Sequence, residues 1–251
     1  KASINDLHLY EEGSYTSPRV DVWGISDLDL FREADQILRE IPREKPFLAY
    51  IQTAANHRPF TIPDDHDIGQ GNLWGENGKI AGGSHGNDGG YFYHHEYVKM
   101  VERCQTSHLP PPYDASTIEQ GIGVYYTNYR LGPVDFAIIE DRKFKSGPAG
   151  KIPQQGPRPD HIRNPEYDPK TIDVPGLKLL GDRQLTFLEA WSKDQQPGQM
   201  KAVLSQTGFC GGAHIHGSKD NRLHAAMDSN GWPQTGRNKA LALIEIINWY
   251  I

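Results

Sequence analysis

Near the start of the chain a helix signal leads through a short linker into a buried strand, and this order restricts the fold more than any other feature. Ser26-Asp27-Leu28-Asp29 reads as a capping box with an acid at the third helical position. Leu30, Ala34, Ile37, Leu38 and Ile41 then recur at helical spacing as far as Pro42, which predicts an amphipathic helix of about four turns. Residues 45–53, Lys-Pro-Phe-Leu-Ala-Tyr-Ile-Gln-Thr, form a nearly continuous apolar run, as a strand covered on both faces requires. Helix then buried strand is the unit of an α/β sheet.

With 251 residues the chain can bury a sizeable core as one large domain or two small ones. Its net charge of −6 is spread along the sequence, and no basic stripe offers itself to a nucleic-acid backbone, which excludes nucleic acid as an expected partner. No run approaches ~18 consecutive apolar residues, so no membrane span is expected. Lys1-Ala2-Ser3 is not a signal peptide and no initiator Met is present, so the numbering is expected to start inside a longer precursor. Cys104 and Cys210 permit one disulfide but set no framework.

Directly after Pro63 the chain places three carboxylates and an imidazole on four consecutive residues, Asp64-Asp65-His66-Asp67, followed by Ile-Gly-Gln-Gly-Asn72-Leu-Trp-Gly. Such a cluster repels itself unless a cation sits in it, and carboxylate oxygen with neutral imidazole nitrogen suits hard and borderline metals. The residue types alone leave a second reading open, a solvated acidic loop in which Asp64 or Asp65 caps a turn. Farther on, His214 and His216 stand at i and i+2 on a glycine-bounded extended segment. There they point the same way and can converge on one metal or phosphate, or simply belong to a loop with no ligand.

Tyr93, Tyr97, Met100, Val101 and Cys104 share helical spacing and predict a helix over residues 93–107 with this stripe on the core. On that helix the neighbours His94 and His95 face different ways and make a poor metal pair. Residues 124–129 and 134–140 are β-rich runs around Gly132-Pro133, ending in Asp141-Arg142. Those two residues are placed to hold a loop or site at a strand's C-terminal end, or to form a local ion pair. Residues 146–177 are proline-rich and irregular, residues 179–191 are helical, residues 201–207 form a strand, and residues 238–251 form the last helix.

The acidic element and its Gln-Gly-Asn-Leu-Trp-Gly extension resemble the Asn/Asp-His-Asp/Glu element of the calcineurin-like metallophosphoesterases, in the form carried by PhoD-like alkaline phosphatases. The strand ending in Asp141-Arg142, the Gly-x-x-Gln-Leu-x-x-Leu helix from Gly181, the strand ending in Ser205-Gln206-Thr207, and the loop from Asp228 to Arg237 are similar to the same family. The resemblance spans about residues 61–251. It implies His66 as an acid toward the leaving group, oriented by Asp67, and Asp65 as a metal ligand; Asp64, Asn72, His214 and His216 are the further candidate ligands. It further implies that Arg142, Asp228, Trp232 and Arg237 meet the substrate. The cofactors would be divalent or trivalent ions such as iron, calcium, zinc or manganese, and the compartment periplasmic or extracellular.

Residues 1–63 bring another resemblance. Trp23-Gly24-Ile25-Ser26-Asp27, the buried strand and Asn56-His57-Arg58-Pro59-Phe60 are similar to sulfatase-type hydrolases of the alkaline phosphatase superfamily, especially the lipoteichoic-acid-synthase-like phosphoglycerol transferases. There the His would contact phosphate or sulfate, which falls on His57; taken alone, it reads as a strand-end histidine bonded to a carbonyl. The two resemblances overlap at residues 61–65, which suggests a join.

The expected fold is therefore an α/β protein, a metallophosphoesterase-like layered sheet with flanking helices, incomplete at both ends. The expected function is metal-dependent hydrolysis of a small phosphate ester. A sulfatase or phosphoglycerol transferase-type hydrolase acting on a sulfate or phosphate ester, and a non-catalytic fragment or chimera, are the alternatives.

Overall fold

The structure, a computed structural model, describes residues 14–18, 27–40, 67–68, 70–82, 88–194, 200–206, 225–228 and 231–245. Its contacts divide the chain into two units, Lys1–Phe60 and Thr61–Ile251.

In the first unit the expected amphipathic helix is α1 (Asp27–Glu40). Leu30, Ala34, Ile37 and Leu38 form its half-buried stripe, and Arg39 pairs with Asp35 one turn earlier at 2.8 Å. The Glu33 carboxylate accepts the Thr16 and Ser17 backbone N–H groups at 2.9 and 2.5 Å. Hydrogen bonds from Ser17 and Thr16 hold its pKa down at about 2. The expected strand at 45–53, and His57 beyond it, lie outside the described residues.

The second unit is mixed α/β. Its larger sheet has the order β1-β2-β4, with β1 (Thr127–Leu131) antiparallel to β2 (Val134–Ile139) and β2 parallel to β4 (Met200–Ser205). The Gly-Pro pair sits between β1 and β2 as the sequence predicts. α3 (Asp182–Lys193) lies between the parallel strands in the chain and packs against α4 (Gln234–Glu245). Phe187, Leu188 and Trp191 of α3 join Ala137 and Ile139 of β2 in the main core. A smaller sheet pairs β3 (His161–Ile162) with β5 (Ala225–Ala226), antiparallel. Under it lies a second core of Trp74, Ile152, Ile162, Ile172, Met227 and Trp232. The proline-rich stretch at 146–177 is thus one wall of a core. No described helix is long and apolar enough to cross a membrane.

Three expectations are corrected. α2 spans His95–Thr106 and buries Val98; Tyr93, Tyr97, Met100 and Cys104 are exposed, so the aromatic stripe is not the core face. The inward face carries Val98 and Val101, which pack on the main core, and Glu102, which pairs with the buried Lys143 at 3.0 Å. His94 and His95 do not face apart: their rings stack at 4.2 Å, because His94 is the N-cap, with non-helical backbone, and its Nδ1 accepts the Glu96 N–H. Finally, α4 begins at Gln234 rather than 238, because the Asp173 carboxylate caps it by accepting the Thr235 N–H at 3.0 Å and the Thr235 hydroxyl at 2.7 Å.

Candidate active site

The parallel strands β2 and β4 end side by side at Ile139 and Ser205, and the chain there turns into Glu140-Asp141-Arg142 and Gln206. The C-terminal edge of parallel strands is where α/β sheets commonly present ligand-binding loops. Arg142 ties the two ends together, donating from Nε to Gln206 Oε1 at 2.7 Å. Its Nη1 and Nη2 donate to the Asp228 carboxylate at 2.5 and 3.5 Å. Lys145 donates to the Asp228 carbonyl at 2.7 Å. Side-chain exposure is 3% for Arg142 and 20% for Asp228, so the carboxylate, and not the guanidinium, is the half of the pair open to a ligand. Arg142 thereby fixes Asp228 over the two strand ends.

The segment that continues the acidic cluster docks here. The Gly75 N–H donates to the Arg142 carbonyl at 2.9 Å, and Asn77 N–H to the Lys143 carbonyl at 3.0 Å. A Cβ on Gly75 would stand 2.4 Å from the Lys143 carbonyl oxygen, so only glycine permits the approach. Trp74 is thereby seated under Lys145, whose Nζ lies 5.2 Å from its ring centroid, and edge-on to Trp232 at 5.9 Å. The Trp232 indole donates to the Ile172 carbonyl at 2.5 Å.

Asn72 donates its side-chain N–H to Asp160 Oδ2 at 2.7 Å, which leaves its Oδ1 as the atom for any further ligand. Asp160 is buried and also receives two bonds from Arg158, at 3.0 and 3.1 Å, while its carbonyl accepts the Met227 N–H at 3.0 Å. Met227 adjoins Asp228, so the Asn72 and Arg142 networks are linked through one peptide.

Asn72, Arg142, Asp228 and Trp232 are thus brought into one connected region. Arg237 is not: it lies in the first turn of α4, bonded through Nε to Asn238 at 3.4 Å. Asp67 sits in a turn where its carbonyl accepts the Tyr97 hydroxyl at 3.4 Å. Asp64, Asp65, His66, His214 and His216 lie outside the described residues. Among the described residues no group of three or more His, Cys, Asp or Glu side chains could hold a metal, and Asn72 is the one metal candidate whose geometry can be stated.

Sequence reasoning missed Asp160, Arg158, Lys145 and Gln184. Gln184 is fully buried on α3; its Oε1 accepts the Glu140 N–H at 2.8 Å and its Nε2 donates to the Glu140 carbonyl at 2.6 Å, continuing β2 by one side-chain pair. An amide among apolar residues on a helix face was the available signal. Beneath the site, burial pushes the Glu140 carboxyl up to about 8, against the opposing pull of Lys143, and burial pushes the Tyr91 phenol up to about 12. Lys143 is paired with Glu102 at 3.0 Å.

Fold and site together define a mixed α/β protein with a polar cluster at the C-terminal edge of its parallel strands. No family model matches the chain. Among solved structures it is similar to PhoD, at 18% identity over 74% of this chain and with a TM-score of 0.43. The matched part is 31% of the PhoD chain.

Proposed function

We propose that the chain is a metal-dependent phosphoester hydrolase of PhoD-like type, acting on small phosphate monoesters or diesters. The observation that carries this reading is convergence: Asn72, Arg142, Asp228 and Trp232, singled out from motifs far apart in sequence, meet at the end of a parallel strand pair. Asp64, Asp65, Asn72, His214 and His216 would hold the ions, which supply charge neutralisation at phosphorus and an acidified water. The chain's own work is positional. Arg142 and Lys145 fix Asp228, Asp160 holds the Asn72 amide through its nitrogen, and Trp74 with Trp232 keeps water from the underside. His66, oriented by Asp67, would protonate the leaving oxygen.

The test is metal content of the purified, desalted chain together with hydrolysis of p-nitrophenyl phosphate and bis-p-nitrophenyl phosphate. Asp65→Ala is expected to abolish metal retention, and His66→Ala to keep metal while lowering turnover ~10²-fold or more. Equal metal binding by Asp65→Ala and the parent chain would overturn the ligand assignment. A chain that holds no metal after reconstitution would be a non-catalytic relative of the fold.

A further inference from the structure

A cleft of about 520 Å³ opens beside the 144–151 loop, apart from the residues assigned to the hydrolytic site. This is a volume within the usual range for small-molecule pockets. One wall is apolar: Phe144, Val174, Pro175 and Leu177. Phe144 packs at the edge of the main core, and Val174 and Leu177 at the edge of the second, so the cleft is the seam left between two cores. The opposite wall is polar. Ser146 and Lys178 close its floor with paired bonds, Ser146 N–H to the Lys178 carbonyl at 2.9 Å and Lys178 N–H to Ser146 Oγ at 3.0 Å.

The rim is formed by Glu76 and Asn77, both left-handed, with φ of 43° and 64°. Non-glycine residues keep such backbone only where their surroundings enforce it. Here the Glu76 N–H is fixed to the Lys145 carbonyl at 3.2 Å and the Asn77 N–H to the Lys143 carbonyl at 3.0 Å. The Glu76 carboxylate is engaged twice, by the Gly147 N–H at 2.7 Å and by Lys151. Asn77 and Lys178 are exposed, and among the described residues neither side chain enters a hydrogen bond or ion pair. Lys151 and Lys178 against Glu76 leave the cleft one positive charge in excess.

We infer that this cleft binds a small organic anion, its apolar body laid on Phe144, Val174 and Leu177 and its anionic group met by the Lys178 ammonium and the Asn77 amide. The inference stands apart from the hydrolytic reading, since no lining residue of the cleft is assigned there to a metal or to the phosphate ester. Benzoate and benzamide, alike in shape and different in charge, test it when titrated into the isotopically labelled full chain followed by amide NMR. Saturable shifts are expected at Asn77, Gly147, Gly176 and Lys178, with a benzoate Kd of about 1 mM. Benzamide is expected to bind at least ~5-fold more weakly, the difference being one exposed charge interaction of about 1 kcal/mol. Lys178→Glu is expected to remove the benzoate preference. Asn77→Gly, which suits the left-handed backbone and so preserves the fold, is expected to weaken benzoate while the remaining spectrum is unchanged. Absence of saturable shifts at these amides, saturation elsewhere, or equal affinity for benzamide overturns the inference.

Discussion

Gln184 meets both peptide groups of Glu140 with a single amide, so its loss strands a buried donor and a buried acceptor at once. Gln184→Ala is expected to lower stability by about 2 to 4 kcal/mol in urea unfolding, more than the loss of its apolar stem would give. Glu140 itself makes stability depend on pH. Its carboxyl is raised from an ordinary 4.5 to about 8 in the fold, so the folded chain binds a proton that the unfolded chain has released over that interval. Its contribution is complete below about 4.5 and is lost as pH rises through 8. The groups around it are Lys143, Asp141 and Glu102, with the Arg142 N–H bonded to Oε1 at 3.0 Å. Melting at pH 6 and pH 9 is expected to show the parent losing at least ~1 kcal/mol more than Glu140→Gln. At this scale legibility was uneven. Arg142 stood out because an acid and a base close a β-rich run, and Asp228 through the resemblance of its loop. Asp160 did not, since its partners Asn72 and Met227 are distant in sequence and its own surroundings have no period.

Among the elements, those with strong local periodicity were readable in kind: α1 and β2 fall where the apolar spacing and the Gly-Pro pair put them, while β1 starts at Thr127 rather than 124 and α3 at Asp182 rather than 179. Which face an element turns inward was less so. Around α2 the row of Tyr93, Tyr97 and Met100 carried the larger apolar area, but the inward face holds Val98, Val101 and the Glu102 that pairs with Lys143, and no pattern within the helix announces a partner 41 residues away. The docking of residues 72–77 onto the loop after β2 depends on one absent side chain. Gly75→Ala, forced against two carbonyl oxygens at 2.4 and 2.6 Å, is expected to cost about 2 to 3 kcal/mol and to displace Trp74 from Lys145. A red shift and increased quenching of tryptophan fluorescence in the folded variant would report that displacement.

At the scale of the molecule, the sequence reads 146–177 as an irregular insertion, whereas the structure makes it one side of the second core and the anchor of two other regions. Irregular backbone has no period, so its apolar residues Ile152, Ile162 and Ile172 gave no sign that they act together. From this stretch the Ile172 carbonyl holds the Trp232 indole and the Asp173 carboxylate caps α4, 62 residues farther along the chain. A helix whose first turn is completed by a remote side chain cannot reach full stability alone, because short isolated helices are marginal in water. The cap therefore makes the stability of α4 depend on the docking of chain about 60 residues upstream. Asp173→Ala is accordingly expected to speed unfolding several-fold and leave the refolding rate nearly unchanged in stopped-flow measurements, the behaviour of a contact made after the transition state.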